Sequence, residues 1–206
     1  MNIYERYCLP HCINCLCGLE AITRQRQKAV PLATGRVLEV GIGAALNLPF
    51  YNSDQVEFVW GLEPSAEMQK AAQKNLQNAP IEVHWLSSSA SEIPLDAGDV
   101  DTVLLTFTLC TLPDWQGALR EMRRVLKADG QLIFCEHGEA PDQSIRNWQT
   151  RITPLWKRVA GGCHLDRPIP GYLEQGGFQI TTMETEYMTG VPRIAGFNYR
   201  GTARKA

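Results

Sequence analysis

The chain has 206 residues, 44% of them hydrophobic, and its 20 basic and 22 acidic residues leave a net charge of −2. That length is enough for one domain with a well-buried core, and the near-neutral balance lacks the basic footprint of a nucleic-acid binder. No apolar run reaches the length of a membrane span and no charged-then-apolar leader opens the sequence. A cytoplasmic protein with its seven cysteines reduced is therefore expected.

Residues 1–30 read as a helical segment in which Ile3, Tyr7, Ile13, Leu16, Leu19 and Ile22 are interspersed with charge. Val37-Leu38-Glu39-Val40 is a buried strand that runs into the turn Gly41-Ile42-Gly43, where two glycines let the backbone approach a ligand with no Cβ in the way. A helix is expected over Leu46 to Tyr51. A second strand, Val56 to Leu62, ends at Glu63, roughly twenty residues past the first glycine, where nucleotide-binding α/β folds place the acid that holds a ribose. Ser65-Ala66-Glu67-Met68 opens a helix reaching about Leu76, and Ile81 to Leu86 is a third strand. Val100 to Thr106 is a fourth, apolar enough to be buried on both faces.

Asp114 then caps an amphipathic helix whose core face is Leu119, Met122, Val125 and Leu126. Gly130, after Lys127-Ala128-Asp129, suits the left-handed cap at its end. Gln131 to Glu136 is a fifth strand, 143–159 a polar helix, and 161–171 a stretch rich in glycine and proline. A short helix at Tyr172-Leu173 enters a sixth strand over 178–187, and 194–203 suits a last, antiparallel strand. Alternation of strands and helices implies an α/β, doubly wound, Rossmann-like sheet of seven mostly parallel strands with helices on both faces. The expected organisation is one domain over 1–206, with a helical lid (1–30), a cofactor-binding half (35–137) and an acceptor-side half (138–206). Ligands of such sheets sit beyond the carboxyl ends of the strands, so Gly41, Glu63, Ser88, Thr106 and Glu136 share one rim.

Absent residues choose the ligand. A dinucleotide fingerprint would put a third glycine at Leu46, and a phosphate-cradling loop would need a Lys-Ser or Lys-Thr pair. No Lys or Arg lies between Arg36 and Lys70. The pocket therefore suits a nucleoside without phosphates, and S-adenosyl-L-methionine fits. Glu63 serves the ribose, an apolar slot the adenine, and acidic surroundings such as Glu39 the positive sulfur.

With these pieces in place the sequence resembles the class I S-adenosylmethionine-dependent methyltransferases, from about residue 35 to its end. The resemblance is carried by Val37-Leu38-Glu39-Val40-Gly41-Ile42-Gly43, by Glu63-Pro64-Ser65, by Asp101-Thr102-Val103 ahead of Thr106, and by 119–127 leading through Gly130 into a strand. Within the class it is most similar to the small group that includes membrane-associated thiol S-methyltransferases, on Leu109-Cys110-Thr111-Leu112, Glu136-His137, Leu155-Trp156 and Gly162-Cys163-His164-Leu165. The resemblance implies that Gly41 and Gly43 approach the methionine part of the cofactor and that Glu63, with Pro64 beside it, takes the ribose hydroxyls. It also implies that Ser88, Ser89 and Ala90 flank the adenine, and that Thr106 and Phe107 line the methionine end. Ala45 stands where the family usually has glycine, and Ser89 where many members carry an acid. The long N-terminal anchor of the thiol-methylating relatives is missing, which puts membrane attachment in doubt and leaves only peripheral contact open.

Methyl transfer from a sulfonium is an in-line displacement, so the protein must chiefly align its partners and exclude water. A hydroxyl or amine acceptor also needs a proton acceptor, whereas a thiol needs only its thiolate fraction. The catalytic candidates are His137, His164 and Asp166. Glu136 would raise the pKa of His137 and fix its tautomer, although a histidine satisfying loop backbone groups is an equal reading. Cys163 and His164 admit a nucleophile pair, but two residues packing a loop is the simpler account, and Cys110 reads as a small hydrophobe.

Cys8, Cys12 and Cys15, with Cys17 close by, fall on one helix face and suit a soft metal or a redox sensor. A cysteine-rich packing face is the preferred reading, so no metal is expected. Tyr4, Arg6 and Tyr7 suggest a lid across the cofactor mouth. Trp148, Trp156 and Tyr172 argue for a small, apolar acceptor, a thiol ahead of a lipid amine or a quinone-type hydroxyl. An NAD(P)-dependent oxidoreductase and a non-catalytic binding module are the alternatives, and oligomeric state is left open.

Overall fold

Parallel strands buried on both faces read as continuous apolar runs, and Val37, Leu38, Val40, Val103, Leu104 and Leu105 at the centre of the sheet are all buried. The computed structural model of the chain describes residues 17–206. Tyr4, Arg6, Tyr7, Cys8, Cys12 and Cys15, and the lid expected of the first three, lie outside the described residues. In chain order the elements are α1 (Glu20–Ala29), β1 (Gly35–Val40), β2 (Val56–Leu62), α2 (Ala66–Leu76), β3 (Val83–Leu86), β4 (Val100–Thr106), α3 (Trp115–Val125) and β5 (Leu126–His137). They continue with α4 (Gln143–Val159), α5 (Ile169–Gln175), β6 (Phe178–Tyr187), the single turn α6 (Arg193–Gly196) and β7 (Phe197–Lys205).

The seven strands form one sheet in the order β3-β2-β1-β4-β5-β7-β6. The pairings from β3 to β5 are parallel, and β7 runs antiparallel between β5 and β6. Because successive strand residues face opposite ways, each strand feeds two cores. Leu38, Val40, Leu105, Leu132 and Phe134 pack with Leu119, Met122 and Val125 of α3 and Leu173 of α5. Val37, Leu104, Ile133 and Cys135 pack on the other face with Ala29 of α1 and Ala72 of α2. Each large buried side chain contributes about 1.5–3 kcal/mol, so these layers outweigh any single cap. The sheet reverses its order at β1 and β4, and that is where a ligand crevice opens in such folds.

Several element ends differ from expectation for local reasons. Leu46–Tyr51 is not an α-helix: Pro49 sits in a single 3-10 turn, Leu48–Phe50. The third strand begins at Val83 rather than Ile81. Gly130 is not a left-handed helix cap, since α3 stops at Val125 and Leu126 is already extended, and the positive-φ glycines do not include Gly130. A Cβ on Gly130 would lie 2.9 Å from the Asp101 carbonyl oxygen, so glycine there permits close strand approach, where the β4–β5 register slips between Val100 and Thr102. The last strand starts at Phe197 because 193–196 form the α6 turn.

Candidate active site

The glycine turn after β1 is folded back over the end of β2. Gly41 and Ile42 both donate their N–H to the Leu62 carbonyl, at 2.9 and 3.2 Å. Gly41 and Gly43 have positive φ, and so does Ala45 (φ 59°), a conformation that costs an L-residue free energy and that concentrates at functional sites. A Cβ on Gly41 would meet Thr108 at 2.6 Å. Glu63, just past β2, turns its carboxylate back onto this turn. Oε2 accepts the Gly43 N–H at 3.2 Å and Oε1 the Ser65 N–H at 2.9 Å. Burial pushes the Glu63 pKa up, and the two amides oppose it. Ser65 caps α2 by accepting the Met68 N–H, and the Gln69 amide joins the Glu63 carbonyl to Ser87.

Beyond β3 the Ser88 hydroxyl bonds the Glu92 carbonyl and the Ser89 hydroxyl lies 2.9 Å from that of Ser91, while Ala90 joins the core. Beyond β4, Phe107 has positive φ (54°), and the chain curls around the buried Glu136 carboxylate. Oε1 accepts the N–H groups of Thr108 (2.7 Å) and Leu109 (2.9 Å), and Oε2 that of Cys110 (3.4 Å). Burial lifts the Glu136 pKa to about 7 against these three amides. Thus Gly41, Gly43, Glu63, Ser88, Ser89, Ala90, Thr106 and Phe107 do converge on the carboxyl ends of β1 to β4, with Pro64 between Glu63 and the α2 cap.

Behind the turn lies a buried polar network that no local sequence pattern announces. Arg26 of α1, only 6% exposed, donates through Nη1 to Asn47 Oδ1 (2.7 Å) and Thr106 Oγ1 (3.1 Å), with its guanidinium 5.5 Å from the Phe107 ring centroid. Asn47 Nδ2 donates in turn to Glu39 Oε1 and Thr106 Oγ1, both at 2.9 Å. Tyr51 donates to Glu39 Oε2 at 2.6 Å. Glu39, expected beside a positive sulfur, is therefore 2% exposed with a bond on each oxygen, and burial lifts its pKa to about 7. The segment without Lys or Arg also acquires a cation after all, because α1 carries Arg26 in from outside it.

On the acceptor side the expected partnerships are rearranged. Glu136 and His137 are neighbours in a strand and so face opposite ways. The carboxylate is engaged by the 108–110 amides, and the His137 ring is fixed elsewhere. It stacks beside Phe107 (6.4 Å, 19°) and places Nε2 3.1 Å from Cys163 Sγ. Cys163 Sγ lies 3.9 Å from Cys110 Sγ. Cys163 thus pairs with His137, not with the adjacent His164, whose Nδ1 sits 3.7 Å from Asp166 Oδ1. The hydrogen bond between the two sulfurs pushes Cys163 down, helped by the His137 charge, and the same bond with burial pushes Cys110 up. Burial alone would lower His137, but the Cys163 sulfur, helped by the Glu136 charge as expected, reverses the shift. Burial and Arg167 lower His164. Arg167, buried, bonds the Leu109 carbonyl and faces the Tyr172 ring, which stacks on Trp115 at 3.9 Å. Trp148, expected on the acceptor wall, is 55% exposed.

A doubly wound sheet with a glycine turn and a strand-end acid at its switch point defines a nucleoside-binding α/β protein. Residues 38–134 match the methyltransferase domain family. The chain is 32% identical over 165 residues to human thiol S-methyltransferase TMT1B, covering 77% of this chain and 67% of that protein. It is 37% identical over 151 residues to demethylmenaquinone methyltransferase of Listeria monocytogenes, covering 68% and 60%. A solved SAM-dependent methyltransferase from Aquifex aeolicus superposes with a TM-score of 0.67 at 18% identity, over 96% of this chain and 98% of that one. The chain spans 60% to 67% of the length of these two relatives. It belongs to the class I S-adenosylmethionine-dependent methyltransferases, a family whose cofactor is S-adenosyl-L-methionine, and the oxidoreductase alternative is set aside. Among the described residues no helix is long and apolar enough to cross a membrane.

Proposed function

We propose that the chain transfers the methyl group of S-adenosyl-L-methionine to a small thiol. The residues present suit the cofactor. Each Glu63 oxygen makes one backbone bond and keeps a lone pair for a ribose hydroxyl. Gly41 and Gly43 leave room along the methionine part, Ser88, Ser89, Ala90 and Pro64 flank the adenine, and Thr106 with Phe107 borders the methionine end. Arg26, bonded to Thr106 and facing Phe107, is the cation matched to the carboxylate of that methionine part. Glu39 acts through Asn47 by holding the turn.

When bound, S-adenosyl-L-methionine supplies an electrophilic methyl group on a positively charged sulfur. The chain must hold a nucleophile in line with it, and alignment of this kind is worth about 7–11 kcal/mol. One observation carries the choice of a thiol. The wall beside Phe107 already holds sulfur against an imidazole, with His137 Nε2 3.1 Å from Cys163 Sγ, and the buried guanidinium of Arg167 acts on the same imidazole. Positive charge there stabilises a thiolate nucleophile and gives no such help to a neutral amine. Similarity to the thiol S-methyltransferases supports the same choice. His164, with Nδ1 3.7 Å from Asp166 Oδ1 further along the segment, borders that wall.

The test is a labelled-methyl assay across alkyl and aryl thiols, lipid amines and hydroquinones, read by mass spectrometry. Label recovered as a thioether is the expected result. Label recovered only on nitrogen or oxygen would transfer the assignment to one of those acceptors, and cofactor binding with no turnover would make the protein a binding module.

A further inference from the structure

Cys110, His137 and Cys163 come from three separate elements: the loop after β4, the end of β5 and the turn after α4. Their donor atoms nevertheless lie within 4.8 Å of one another. Tetrahedral zinc with bonds of about 2.3 Å to sulfur and about 2.05 Å to nitrogen holds neighbouring ligand atoms roughly 3.5–3.8 Å apart. Two separations, 3.9 Å between the sulfurs and 3.1 Å between Nε2 and Cys163 Sγ, bracket that spacing, and the third pair, Cys110 Sγ and the His137 ring, lies within 4.8 Å, so seating a cation draws that pair together by no more than about 1.3 Å. His137 is held by the pairing of β5 with β7, and main-chain groups hold the other two ligands. Cys110 N–H bonds Glu136, the Cys110 carbonyl accepts the His164 N–H at 2.9 Å, and Cys163 N–H bonds the Ala160 carbonyl at 3.1 Å. His137 Nδ1 is buried without a partner and carries the ring proton when Nε2 ligates.

We infer that Cys110, His137 and Cys163 bind one thiophilic cation of the zinc class. Two thiolates and an imidazole are the donor set such ions select, and three protein ligands with a fourth position free is the pattern of reactive rather than structural sites. Binding of a divalent ion releases two protons, one from Cys110 Sγ and one shared by Cys163 and His137, and leaves the centre neutral. Cys110 is buried while His137 and Cys163 are partly exposed, and the free position of the proposed site lies on that partly exposed side. There the acceptor thiol ligates as its thiolate and gives up a third proton. This last step rests on the thiol reading; cation binding does not.

The test uses full-length protein, reduced with a non-chelating phosphine, stripped of metal and titrated with cobalt(II) as an optical stand-in for zinc. One equivalent should give sulfur-to-cobalt charge transfer and the intense visible bands of tetrahedral coordination, both abolished by zinc. Cys110→Ser and Cys163→Ser should each weaken binding by more than the roughly 100-fold that loss of an outer-shell partner costs, with metal-free melting curves checking that each variant folds. Cys8, Cys12, Cys15 and Cys17 are competing thiols, so a variant with all four changed to serine should keep the spectrum. Bands that vanish in that quadruple variant, or a reduced protein that gives no tetrahedral spectrum, would overturn the site. Addition of a thiol should shift the charge-transfer band. An unmoved band, or full-rate thiol methylation by metal-free protein, would remove the acceptor's place on the metal. Intact cobalt bands with no thiol methylation would defeat the functional reading instead.

Discussion

Arg26 shows how much of this site depends on a residue that no local pattern announces. It sits in a helix whose other basic residues face solvent, and its partner Thr106 lies 80 residues further along the chain. Glu63, by contrast, is legible from the sequence, because an acid at the end of the second strand follows from spacing alone. Arg167 and the Cys110–His137–Cys163 cluster share the obscurity of Arg26: their meeting is decided by how two loops pack against the end of β5, not by periodicity. His137 is half legible: Glu136 does help raise its pKa, but strand neighbours face opposite ways, so the ring's contact partner is Cys163. Removing the Arg26 guanidinium leaves the buried Asn47 Oδ1 short of its charged donor, a loss of about 1.5–3 kcal/mol. Arg26→Ala should therefore lower unfolding stability by that amount in urea and also weaken S-adenosylhomocysteine. Arg26→Lys should recover part of both. Unchanged cofactor affinity in the alanine variant would remove Arg26 from the methionine end.

At the scale of elements, the turn after β1 and the cap of α3 make opposite kinds of prediction. Gly41 combines positive φ with a neighbour 2.6 Å from where a Cβ would sit, so Gly41→Ala should cost about 1–3 kcal/mol of stability through strain and lower cofactor affinity by displacing the turn. Asp114 only satisfies the Gly117 N–H, at 2.8 Å. Asp114→Ala should cost about 1 kcal/mol and leave cofactor affinity alone; a loss of affinity there would mean that α3 shapes the crevice directly. Strands and long helices are readable because burial imposes a period on them. Their ends are less so, as Gly130 shows: glycine can mark a helix cap or a close strand approach, and only the β4–β5 pairing decides between them.

At the scale of the whole molecule, the order β3-β2-β1-β4-β5-β7-β6 gathers side chains from every parallel strand onto one rim, so a ligand there bridges otherwise separate parts of the sheet. Its binding should register as global stabilisation: S-adenosylhomocysteine at one hundred times its dissociation constant adds about 2.7 kcal/mol and raises the melting temperature, whereas NADH should leave it unmoved. The alternating α/β pattern makes this architecture legible from sequence, and the acceptor wall is not, because its chemistry lies in loops. The most direct test of the rim as an adenosyl-donor site is calorimetric titration of S-adenosylhomocysteine into the parent protein and the Glu63→Ala variant. The account predicts one equivalent bound by the parent and, from loss of hydrogen bonds to a charged group, an affinity at least about a hundredfold weaker in the variant. Equal affinity in the two proteins would contradict it.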